Sequence, residues 1–341
     1  MTKLRLGIVG PLLGRNPNWV TTQGEILADL FTDAGYRVEE TSSVPNRTLR
    51  LLDTARNLIS WRNKVDLIIL MVFSGPAFFM ADLSSFLAKL IGKPVIMCLR
   101  GGNLPEFSQE HPAWVKRVLA RSARIVSPSA FLADYFSKWG FQIDIIPNVL
   151  NLDNYPYRHR AAVQPKLLWM RTFQDPYNPE MAVETLALLQ KQFPEATLTM
   201  AGQPKGSLEN VKLLSEEKGL TSKIRFAGFL NMIDKQREFA QHDIYLNTNR
   251  IDNMPVSVVE AIAFGLPVVA TEVGGIPFLL DHEDTGLLVP NEDAAAMAAA
   301  IARLLQEPAL ASRLSANGRE LAESCHWSAV KEQWEGLFAE L

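Results

Sequence analysis

Residues 252–277 read DNMPVSVVEAIAFGLPVVATEVGGIP, and this stretch decides the fold because it predicts a loop, a helix and a strand in direct succession. Pro255 suits the first position of the helix, since its φ is fixed and the N–H that it lacks is one that a helix start leaves unpaired. The helix VSVVEAIAF is expected to end at Gly265, as many helices end at a glycine. The apolar run LPVVAT after it predicts a buried strand of a parallel sheet.

Two acids in this stretch point to a binding site. Glu260 falls among apolar residues in the middle of the predicted helix, so its carboxylate needs a partner. Asp252 precedes the helix start, where free N–H groups and the helix dipole favour an anion such as a phosphate. Two acids beside an anion could accept hydrogen bonds from the hydroxyl groups of a sugar nucleotide. The spacing is equally consistent with a capping Asp252 and a solvated Glu260.

Short apolar runs alternate with amphipathic stretches along the whole chain, beginning with LRLGIVG, YRVEET and VDLIILMVF and resuming with KLLWMRTF, ATLTMAG and KIRFAGFL. This rhythm predicts an α/β fold with doubly wound parallel sheets. We expect one Rossmann-like domain in the first part of the chain and a second in the part that begins with KLLWMRTF. Because ligands bind at the carboxyl ends of such strands, the loops at residues 10–16 and 100–106 are candidate site segments.

The composition agrees with two domains and excludes several classes of site. The chain has 341 residues, 48% of them hydrophobic, which is enough for two cores. Its two cysteines and five histidines have no metal-type spacing and no D-x-D motif occurs, so no catalytic metal is expected. The G-x-G-x-x-G fingerprint, the Walker loop and the G-x-S-x-G elbow are absent. Residues 1–150 carry 17 Lys and Arg against 12 Asp and Glu, and this excess of positive charge hints at an anionic partner.

The stretch at 252–277 resembles the signature of glycosyltransferase family 4, whose members have the two-domain GT-B fold with a central cleft. That signature contains two acids with seven residues between them, then E-A-x-A-x-G-x-P-V-V-A-T and a G-G-x-P turn. The matching residues are Asp252, Glu260, Ala261, Ala263, Gly265, Pro267, Val268, Val269, Ala270, Thr271, Gly274, Gly275 and Pro277. Asp252 replaces the usual glutamate. The resemblance implies that Asp252 contacts the donor sugar and that Glu260 holds the ribose hydroxyls.

The resemblance also implies a first Rossmann-like domain over residues 1–150 on the acceptor side, a second over residues 151–325 on the donor side, and a C-terminal helix over residues 326–341 that crosses back to the first.

The resemblance further assigns roles outside this stretch. Arg171 stands where the family has an arginine that binds the donor diphosphate, but Pro176 replaces the lysine usual five residues later, and Tyr177 lies nearest to that place. Arg100 stands where related sequences often have a histidine that faces the donor sugar; an arginine can neutralise a phosphate or an acidic acceptor.

The implied catalytic residues are Asp252, Glu260, Arg171 and Arg100. The implied donor site consists of Gly14, Arg171, Tyr177, Gly228, Phe229, Leu230, Asp252, Met254, Pro255, Val256, Ser257 and Glu260. The implied acceptor side contains Gly102, Asn103 and Glu106. Gly14 is equally typical of a simple turn, and Glu106 is either an acceptor-side base or an ordinary residue at a helix start.

From the resemblance we expect a retaining, metal-independent glycosyltransferase of the hexosyltransferase type. It would move a sugar from a nucleoside-diphosphate sugar, with a UDP-sugar as the first candidate, to a glycan or a lipid-linked acceptor in cell-surface polysaccharide or glycolipid synthesis. No cofactor and no nucleic acid partner are expected. A sugar-nucleotide epimerase of the same fold and a sugar-nucleotide-binding protein without turnover are the alternatives.

We expect a cytoplasmic protein with peripheral contact to the inner face of the membrane. The most apolar window, LIILMVFSGPAFFMA from Leu67, is too short for a membrane span. We assign the membrane contact to a basic cluster whose spacing predicts that several of its members share one helical face beside Trp114 and Val118: Lys116, Arg117, Arg121 and Arg124. A solvated helix face is the alternative.

Overall fold

The structure, a computed structural model, describes residues 3–17 and 19–341. Internal contacts divide the chain into two compact units. The first unit contains the residues up to Val149 together with Val330–Leu341, and the second is Leu150–Ala329. Each unit contains one six-stranded sheet whose neighbouring strands are all parallel. The predicted α/β class with two Rossmann-like, doubly wound domains is confirmed.

The first unit alternates strands and helices in the predicted order. Its elements are β1 Arg5–Val9, α1 Gln23–Asp33, β2 Arg37–Thr41, α2 Arg47–Ser60, β3 Leu67–Val72, α3 Phe78–Leu90, β4 Val95–Leu99, α4 Leu104–Glu110, α5 Pro112–Leu119, β5 Arg124–Ser127, α6 Ala130–Ser137 and β6 Ile143–Ile145. Strands β3 and β4, LIILMV and VIMCL, are buried along their whole length. Such continuous apolar runs are typical of central parallel strands with both faces covered.

The second unit repeats this pattern. Its elements are β7 Lys166–Met170, α7 Pro179–Leu189, β8 Thr197–Ala201, α8 Leu208–Glu217, β9 Ile224–Gly228, α9 Met232–Gln241, β10 Ile244–Asn247, α10 Val256–Ala263, β11 Val268–Thr271, β12 Leu287–Val289, α11 Ala294–Gln306, α12 Pro308–Ser324 and the start of α13 Trp327–Ala339. Two hydrophobic clusters form its core, one around Trp169 and one around Tyr245.

Each sheet has a point where the strand order reverses. The first sheet has the order β2-β1-β3-β4-β5-β6, and the second has the order β12-β11-β10-β7-β8-β9. In the second unit the chain therefore moves outward from β7 to β9 and then returns to β10 on the other side of β7. The crevice at the carboxyl ends of the strands at such a reversal is the usual ligand site of an open α/β sheet. The loops after β7 and β10 contain Arg171 and Asp252.

Helix α10 begins one residue later than predicted. Pro255 has φ −66° and ψ 111°, so it is the N-cap, and Val256 is the first helical residue. At the other end Phe264 is the C-cap and Gly265 has φ +86°. A Cβ atom on Gly265 would lie 2.4 Å from the carbonyl oxygen of Arg158, so both the backbone conformation and the close approach require glycine.

A buried arginine holds the end of α10 in place. The guanidinium of Arg160 donates to the carbonyl oxygens of Arg158 at 2.7 Å, Phe239 at 2.6 Å and His242 at 3.0 Å, and also to that of Phe264. Burial, together with repulsion from Arg158, lowers the pKa of Arg160 to about 10. Arg160 thereby joins the C-terminal ends of α9 and α10.

Replacing Arg160 by alanine should destabilise the protein by about 3 kcal/mol or more, because a hydrogen bond from a charged group contributes roughly 1.5–3 kcal/mol and several carbonyls would lose their donor. A urea titration followed by circular dichroism measures this loss. Arg237→Ala is the control, since the Arg237 side chain is 70% exposed and its ion pair with Asp234 is 3.3 Å long. This variant should change the free energy of unfolding by less than about 1 kcal/mol. Equal midpoints for the two variants would contradict the role of Arg160.

The C-terminal helix α13 contributes side chains to the first unit. Trp334 is buried and lies edge-on to Phe31, with ring centroids 6.0 Å apart. The hydroxyl of Tyr36 donates to Glu335 at 2.9 Å. These contacts explain why the first unit includes Val330–Leu341.

The basic residues that were predicted to share one helical face do not do so. Helix α5 ends at Leu119, and Arg124 lies in β5. The N–H of Ala123 donates to the carbonyl oxygen of Val95 at 2.8 Å, which joins this segment to the sheet. The prediction was wrong because it extended the helix through residues that lead into a strand.

Two of these basic residues pair with one acid. Asp82 accepts from Arg121 at 2.6 Å, from Arg117 at 3.1 Å and from the indole N–H of Trp114 at 2.7 Å. Burial acts to raise the pKa of Asp82, but these three donors outweigh it and lower that pKa. Asp82 therefore offsets only one of the two positive charges of Arg117 and Arg121.

Within the described residues, no helix is both long and apolar enough to cross a bilayer.

Candidate functional site

An ion pair stands at the strand reversal of the second sheet. Arg171 directly follows β7, and its Nη2 lies 2.7 Å from Oδ2 of Asp252. The same oxygen accepts from the side-chain amide of Asn249 at 2.7 Å, while Oδ1 accepts from the backbone N–H of Asn253 at 2.8 Å. Both partners of the ion pair are mostly buried. The predicted residues Arg171 and Asp252 are thus brought together from different loops.

Burial and charge act on this pair in opposite directions. Burial acts to lower the pKa of Arg171, but the Asp252 carboxylate outweighs it and raises that pKa above its usual value. Burial also raises the pKa of Asp252, against the opposing effects of Arg171 and two hydrogen bonds. Arg171 therefore stays a cation at any physiological pH, and its orientation is fixed by the carboxylate.

The place of the missing lysine is occupied by a short loop that docks onto the loop after β10. The guanidinium carbon of Arg171 lies 4.0 Å from the centre of the Tyr177 ring, a cation–π contact. The carbonyl oxygen of Tyr177 accepts from Thr248 at 2.7 Å, and that of Pro176 accepts from the N–H of Arg250 at 2.9 Å. At the position where the family usually has a lysine, this chain therefore places an aromatic ring against Arg171 and not a second positive charge.

The start of α10 lies beside Arg171. Nη1 of Arg171 is 3.5 Å from the hydroxyl oxygen of Ser257, in the first turn. Pro255 has no N–H to offer, and within the described part of the chain no side chain caps this helix. Backbone N–H groups of Val256 and Ser257, together with the helix dipole and Arg171, form a positive environment that suits a phosphate group.

Two glycines let a second loop close against Asp252. The N–H of Gly275 donates to the carbonyl oxygen of Asp252 at 3.0 Å. A Cβ atom on Gly274 would lie 2.1 Å from that same oxygen, and one on Gly275 would lie 1.8 Å from the carbonyl oxygen of Asn253. No side chain fits at either place, so the G-G-x-P turn is a packing requirement of the site.

Glu260 is buried within α10 and has two partners that the sequence did not indicate. Its Oε1 accepts from Nζ of Lys235 at 2.7 Å and from the hydroxyl of Tyr155 at 3.0 Å. Burial, followed by the charge of Glu260, raises the pKa of Tyr155 above its usual range. The expectation that a buried Glu260 needs partners therefore holds, and the reading of it as a solvated helix residue does not.

The remaining donor-site candidates of the second unit lie along the same edge of its sheet. Gly228 ends β9 with φ +70°, and its carbonyl oxygen accepts from the N–H of Gly202 at 2.8 Å. Phe229 is partly exposed and Leu230 is buried. Met254, immediately before the N-cap of α10, is also buried.

The other candidates belong to the first unit. A Cβ atom on Gly14 would lie 2.5 Å from Cα of Thr21 and 2.6 Å from Oε2 of Glu25, so glycine is required there by the loop itself. Glu25 also accepts from the N–H of Arg15 at 2.8 Å and from that of Thr22 at 2.5 Å, which fixes this loop to the start of α1.

Arg100 extends from the end of β4 and donates to the side chain of Asn148. Burial lowers the pKa of Arg100, partly offset by the neighbouring Cys98 thiol. Gly102 and Asn103 form the turn before α4, and Glu106 is exposed in its first turn.

The described residues contain no group of three or more His, Cys, Asp or Glu side chains that could hold a metal ion. The second unit instead provides a fixed cation, the backbone N–H groups of a helix start and two paired carboxylates. This arrangement can bind a phosphorylated ligand that carries hydroxyl groups.

Comparison with known proteins agrees with this chemistry. A model of the family described as glycosyl transferases group 1 matches residues 159–321. The phosphatidyl-myo-inositol mannosyltransferase of Mycobacterium leprae is 27% identical over 64% of this chain and 59% of its own length. The chain thus spans less than two thirds of the length of the curated relatives that it matches.

Two solved structures are similar over almost the whole chain. Sucrose-phosphate synthase from Thermosynechococcus elongatus has a TM-score of 0.80 and 18% identity, with 99% of each chain covered. Anabaena Alr3699/HepE, solved in complex with UDP, has a TM-score of 0.78 and 16% identity, with 99% of this chain and 100% of that chain covered. At these identities the similarity concerns the fold.

Proposed function

We propose that this chain, whose residues 159–321 match the model of the group 1 glycosyl transferases, transfers a sugar from a nucleoside-diphosphate sugar to an acceptor. The observation that carries the proposal is the buried Arg171–Asp252 pair beside the uncapped start of α10, at the strand reversal of the second sheet. This arrangement provides a preformed site for a diphosphate.

The donor that we propose is a UDP-sugar. A structural neighbour, Anabaena Alr3699/HepE, was solved with UDP. We assign the diphosphate to Arg171 and the first turn of α10, and the base to the backbone of residues 228–230. The ribose hydroxyls are assigned to Oε2 of Glu260, because the hydroxyl of Tyr155 and the ammonium of Lys235 both bond to Oε1.

Asp252 has two tasks in this proposal. Its Oδ2 holds Arg171 and Asn249, so this oxygen orients the cation. Its Oδ1 accepts one backbone N–H, from Asn253, and keeps acceptor capacity for a hydroxyl group of the donor sugar. One short carboxylate thereby couples the position of the sugar to the position of the phosphate-binding arginine.

Catalysis would consist mainly of stabilising the leaving group. As the bond between the anomeric carbon and the phosphate oxygen breaks, negative charge builds up on the diphosphate and positive charge on the sugar. Arg171 and the α10 dipole are fixed in advance towards that negative charge, so they contribute most in the transition state. We assign no protein nucleophile, and we propose that the anomeric configuration is retained.

The test of this function is a transfer and hydrolysis assay with a panel of UDP-, GDP- and ADP-sugars, followed by proton NMR of the anomeric signal. Release of the nucleoside diphosphate with a product of the donor's configuration supports a retaining glycosyltransferase. Inversion of that configuration contradicts the retaining mechanism, and an epimerised donor would indicate the epimerase of the same fold. Binding without any turnover would favour a sugar-nucleotide-binding protein, which the replacement of the second phosphate-binding cation by Tyr177 makes the stronger alternative.

Activity should persist in excess EDTA, because Arg171 and the helix start supply the positive charge that a metal ion supplies in D-x-D enzymes. The initial rate is compared before and after chelation. A matched sample with added Mg²⁺ or Mn²⁺ is the control. Complete loss of activity with EDTA, restored by either metal, would show that the proposed metal-independent mechanism is wrong.

For the acceptor we propose a glycan or a lipid-linked sugar. Arg100, Gly102, Asn103 and Glu106 of the first unit are the residues that we assign to it, with Arg100 suited to an acidic or phosphorylated group. We place the reaction in the cytoplasm, at the inner face of the membrane when the acceptor is lipid-linked.

A further inference from the structure

Two neighbouring helices of the first unit expose an unusual amount of apolar surface. In the described part of the chain, thirteen large hydrophobic side chains are exposed, and six of them lie on α2 and α3. These six side chains define the α2–α3 face: Leu49, Leu52, Ile59, Phe79, Phe86 and Leu90. Their exposed fractions range from 48% for Phe86 to 66% for Leu90. Scattered exposed apolar residues are ordinary, whereas a contiguous group marks an interaction surface.

The six side chains form two aligned stripes. On α2 the buried positions Arg50, Thr54 and Leu58 recur every four residues and face the core. The exposed residues Leu49, Leu52 and Ile59 occupy the opposite side of that helix, as the 3.6-residue period requires.

On α3 the exposed apolar residues also share one side. Phe79, Phe86 and Leu90 are spaced by seven and four residues, so they fall within a narrow arc of the helix. The two helices pack against each other. Helix α2 connects β2 to β3, and α3 connects β3 to β4. Both connections run in the same direction across the sheet, so right-handed crossovers place both helices on the same face. The two stripes therefore lie side by side.

The exposed charged side chains of the chain segment that carries this face have one sign. Between Arg47 and Lys93, the exposed charged side chains are all basic: Arg47, Arg56, Arg62, Lys64 and Lys89. Arg56 lies between Leu52 and Ile59 on the same side of α2, and Lys89 adjoins Leu90. Long basic side chains of this kind can extend from an apolar surface to a polar boundary.

The three acids of the same segment are partly buried and already engaged. Asp53 accepts from Ser42 at 2.6 Å, Asp66 accepts from Arg5 at 2.7 Å, and Asp82 accepts from Arg121 at 2.6 Å. The positive charge of the α2–α3 face is therefore not balanced by exposed acids within this segment.

We propose that the α2–α3 face docks on an anionic lipid bilayer, with its apolar stripes in the interface and its basic side chains at the lipid headgroups. A helix face that combines large apolar residues with surrounding Lys and Arg is typical of interfacial binding. The inference rests on contacts within the first unit alone and is independent of the donor site. The α2–α3 face adjoins the basic segment at residues 116–124, because the Phe79 ring lies 4.8 Å from that of Trp114 and the Arg121 guanidinium lies 5.8 Å from the centre of the Phe86 ring.

The first test is co-sedimentation of the full chain with vesicles of phosphatidylcholine alone or mixed with phosphatidylglycerol. Binding is expected only to the mixed vesicles. It should weaken from about 0.1 M to about 1 M salt, where the Debye length falls from about 10 Å to about 3 Å. Failure to bind the mixed vesicles at low salt would overturn the proposal.

Variants locate the surface. Leu52→Gln/Leu90→Gln removes one apolar residue from each stripe and should weaken binding by about tenfold or more, since burying one large apolar side chain contributes roughly 1.5–3 kcal/mol. Arg56→Ala and Lys89→Ala should each weaken it by about fivefold, corresponding to about 1 kcal/mol per cation near an anionic surface. Leu213→Gln/Ile233→Gln is the matched control, because both residues are exposed on helices of the second unit; it should bind like the parent.

Two other outcomes would overturn the proposal, because they would show that something else covers the α2–α3 face or that the membrane contact lies elsewhere. If the chain forms a dimer that Leu52→Gln/Leu90→Gln dissociates, as measured by light scattering, a second copy covers the α2–α3 face. If Lys116→Ala/Arg117→Ala weakens vesicle binding while the α2–α3 variants do not, the membrane contact is at α5. Donor hydrolysis by the α2–α3 variants should match that of the parent in the absence of vesicles, which separates this result from any failure of the donor site.

Discussion

Replacing Arg171 by alanine should lower kcat/KM for the nucleotide sugar by about 100-fold or more, the range in which removal of one transition-state charge contact usually falls. The reason is that Arg171 is the only side-chain cation in contact with Asp252 among the described residues, and it lies 3.5 Å from Ser257 at the start of α10. Steady-state kinetics with the donor identified from the panel provide the measurement.

A stability effect must be separated from this catalytic effect. Without Arg171, the Asp252 carboxylate would stay buried without its charge partner, and breaking a buried pair in this way typically costs about 3–5 kcal/mol. The double variant Arg171→Ala/Asp252→Asn removes the unpaired charge. It should recover most of the lost stability and stay inactive. Arg303→Ala, which breaks partly exposed pairs with Glu283 and Glu307, is the kinetic control. Parental turnover by folded Arg171→Ala would contradict the assigned role.

Replacing Gly275 by alanine should abolish donor binding and destabilise the second unit, with a cost at or above the roughly 1–3 kcal/mol typical of overpacking. The new methyl group would lie 1.8 Å from the carbonyl oxygen of Asn253, which is backbone and cannot rotate away. The loop that carries Asp252 would have to move, and the hydrogen bond from Gly275 to Asp252 would be lost with it. Thermal unfolding and nucleotide binding are measured together.

Gly336→Ala provides the matched control. Gly336 lies within α13, and a Cβ atom there would meet nothing within 4 Å. The variant should be unchanged or more stable by about 0.5–1 kcal/mol, because alanine favours the helix over glycine. If Gly275→Ala behaves like Gly336→Ala, the G-G-x-P turn does not position Asp252.

The fold was predictable because local patterns and tertiary requirements agree. Strand β3 is a continuous apolar run, and α10 lies between a proline and a glycine that the backbone requires. Helix α12, in contrast, was not predicted. Its segment contains Ser, Asn and Gly318, and glycine is there because a Cβ atom would lie 3.1 Å from the side chain of Ile262 on α10. That packing is a tertiary fact with no local signal.

The site was predictable in its residues and less so in its contacts. Arg171 and Asp252 were both identified, but their direct pairing joins residues 81 positions apart. The partners of Glu260 were missed because Tyr155 lies 105 positions away and Lys235 lies on a different helix, 25 positions away. A buried acid indicates that a partner exists, and only the folded chain indicates which one.

Isothermal titration calorimetry with UDP and UMP, on the parent and on Arg171→Ala, tests the central claim most directly. The second phosphate of UDP is the group that we assign to Arg171 and the start of α10. The parent should therefore bind UDP more tightly than UMP, and Arg171→Ala should lose most of that difference while its weak affinity for UMP stays the same. GDP and ADP are titrated in parallel to identify the base. An unchanged ratio of UDP to UMP affinity in Arg171→Ala, or no binding of any nucleoside diphosphate by the parent, would contradict the account.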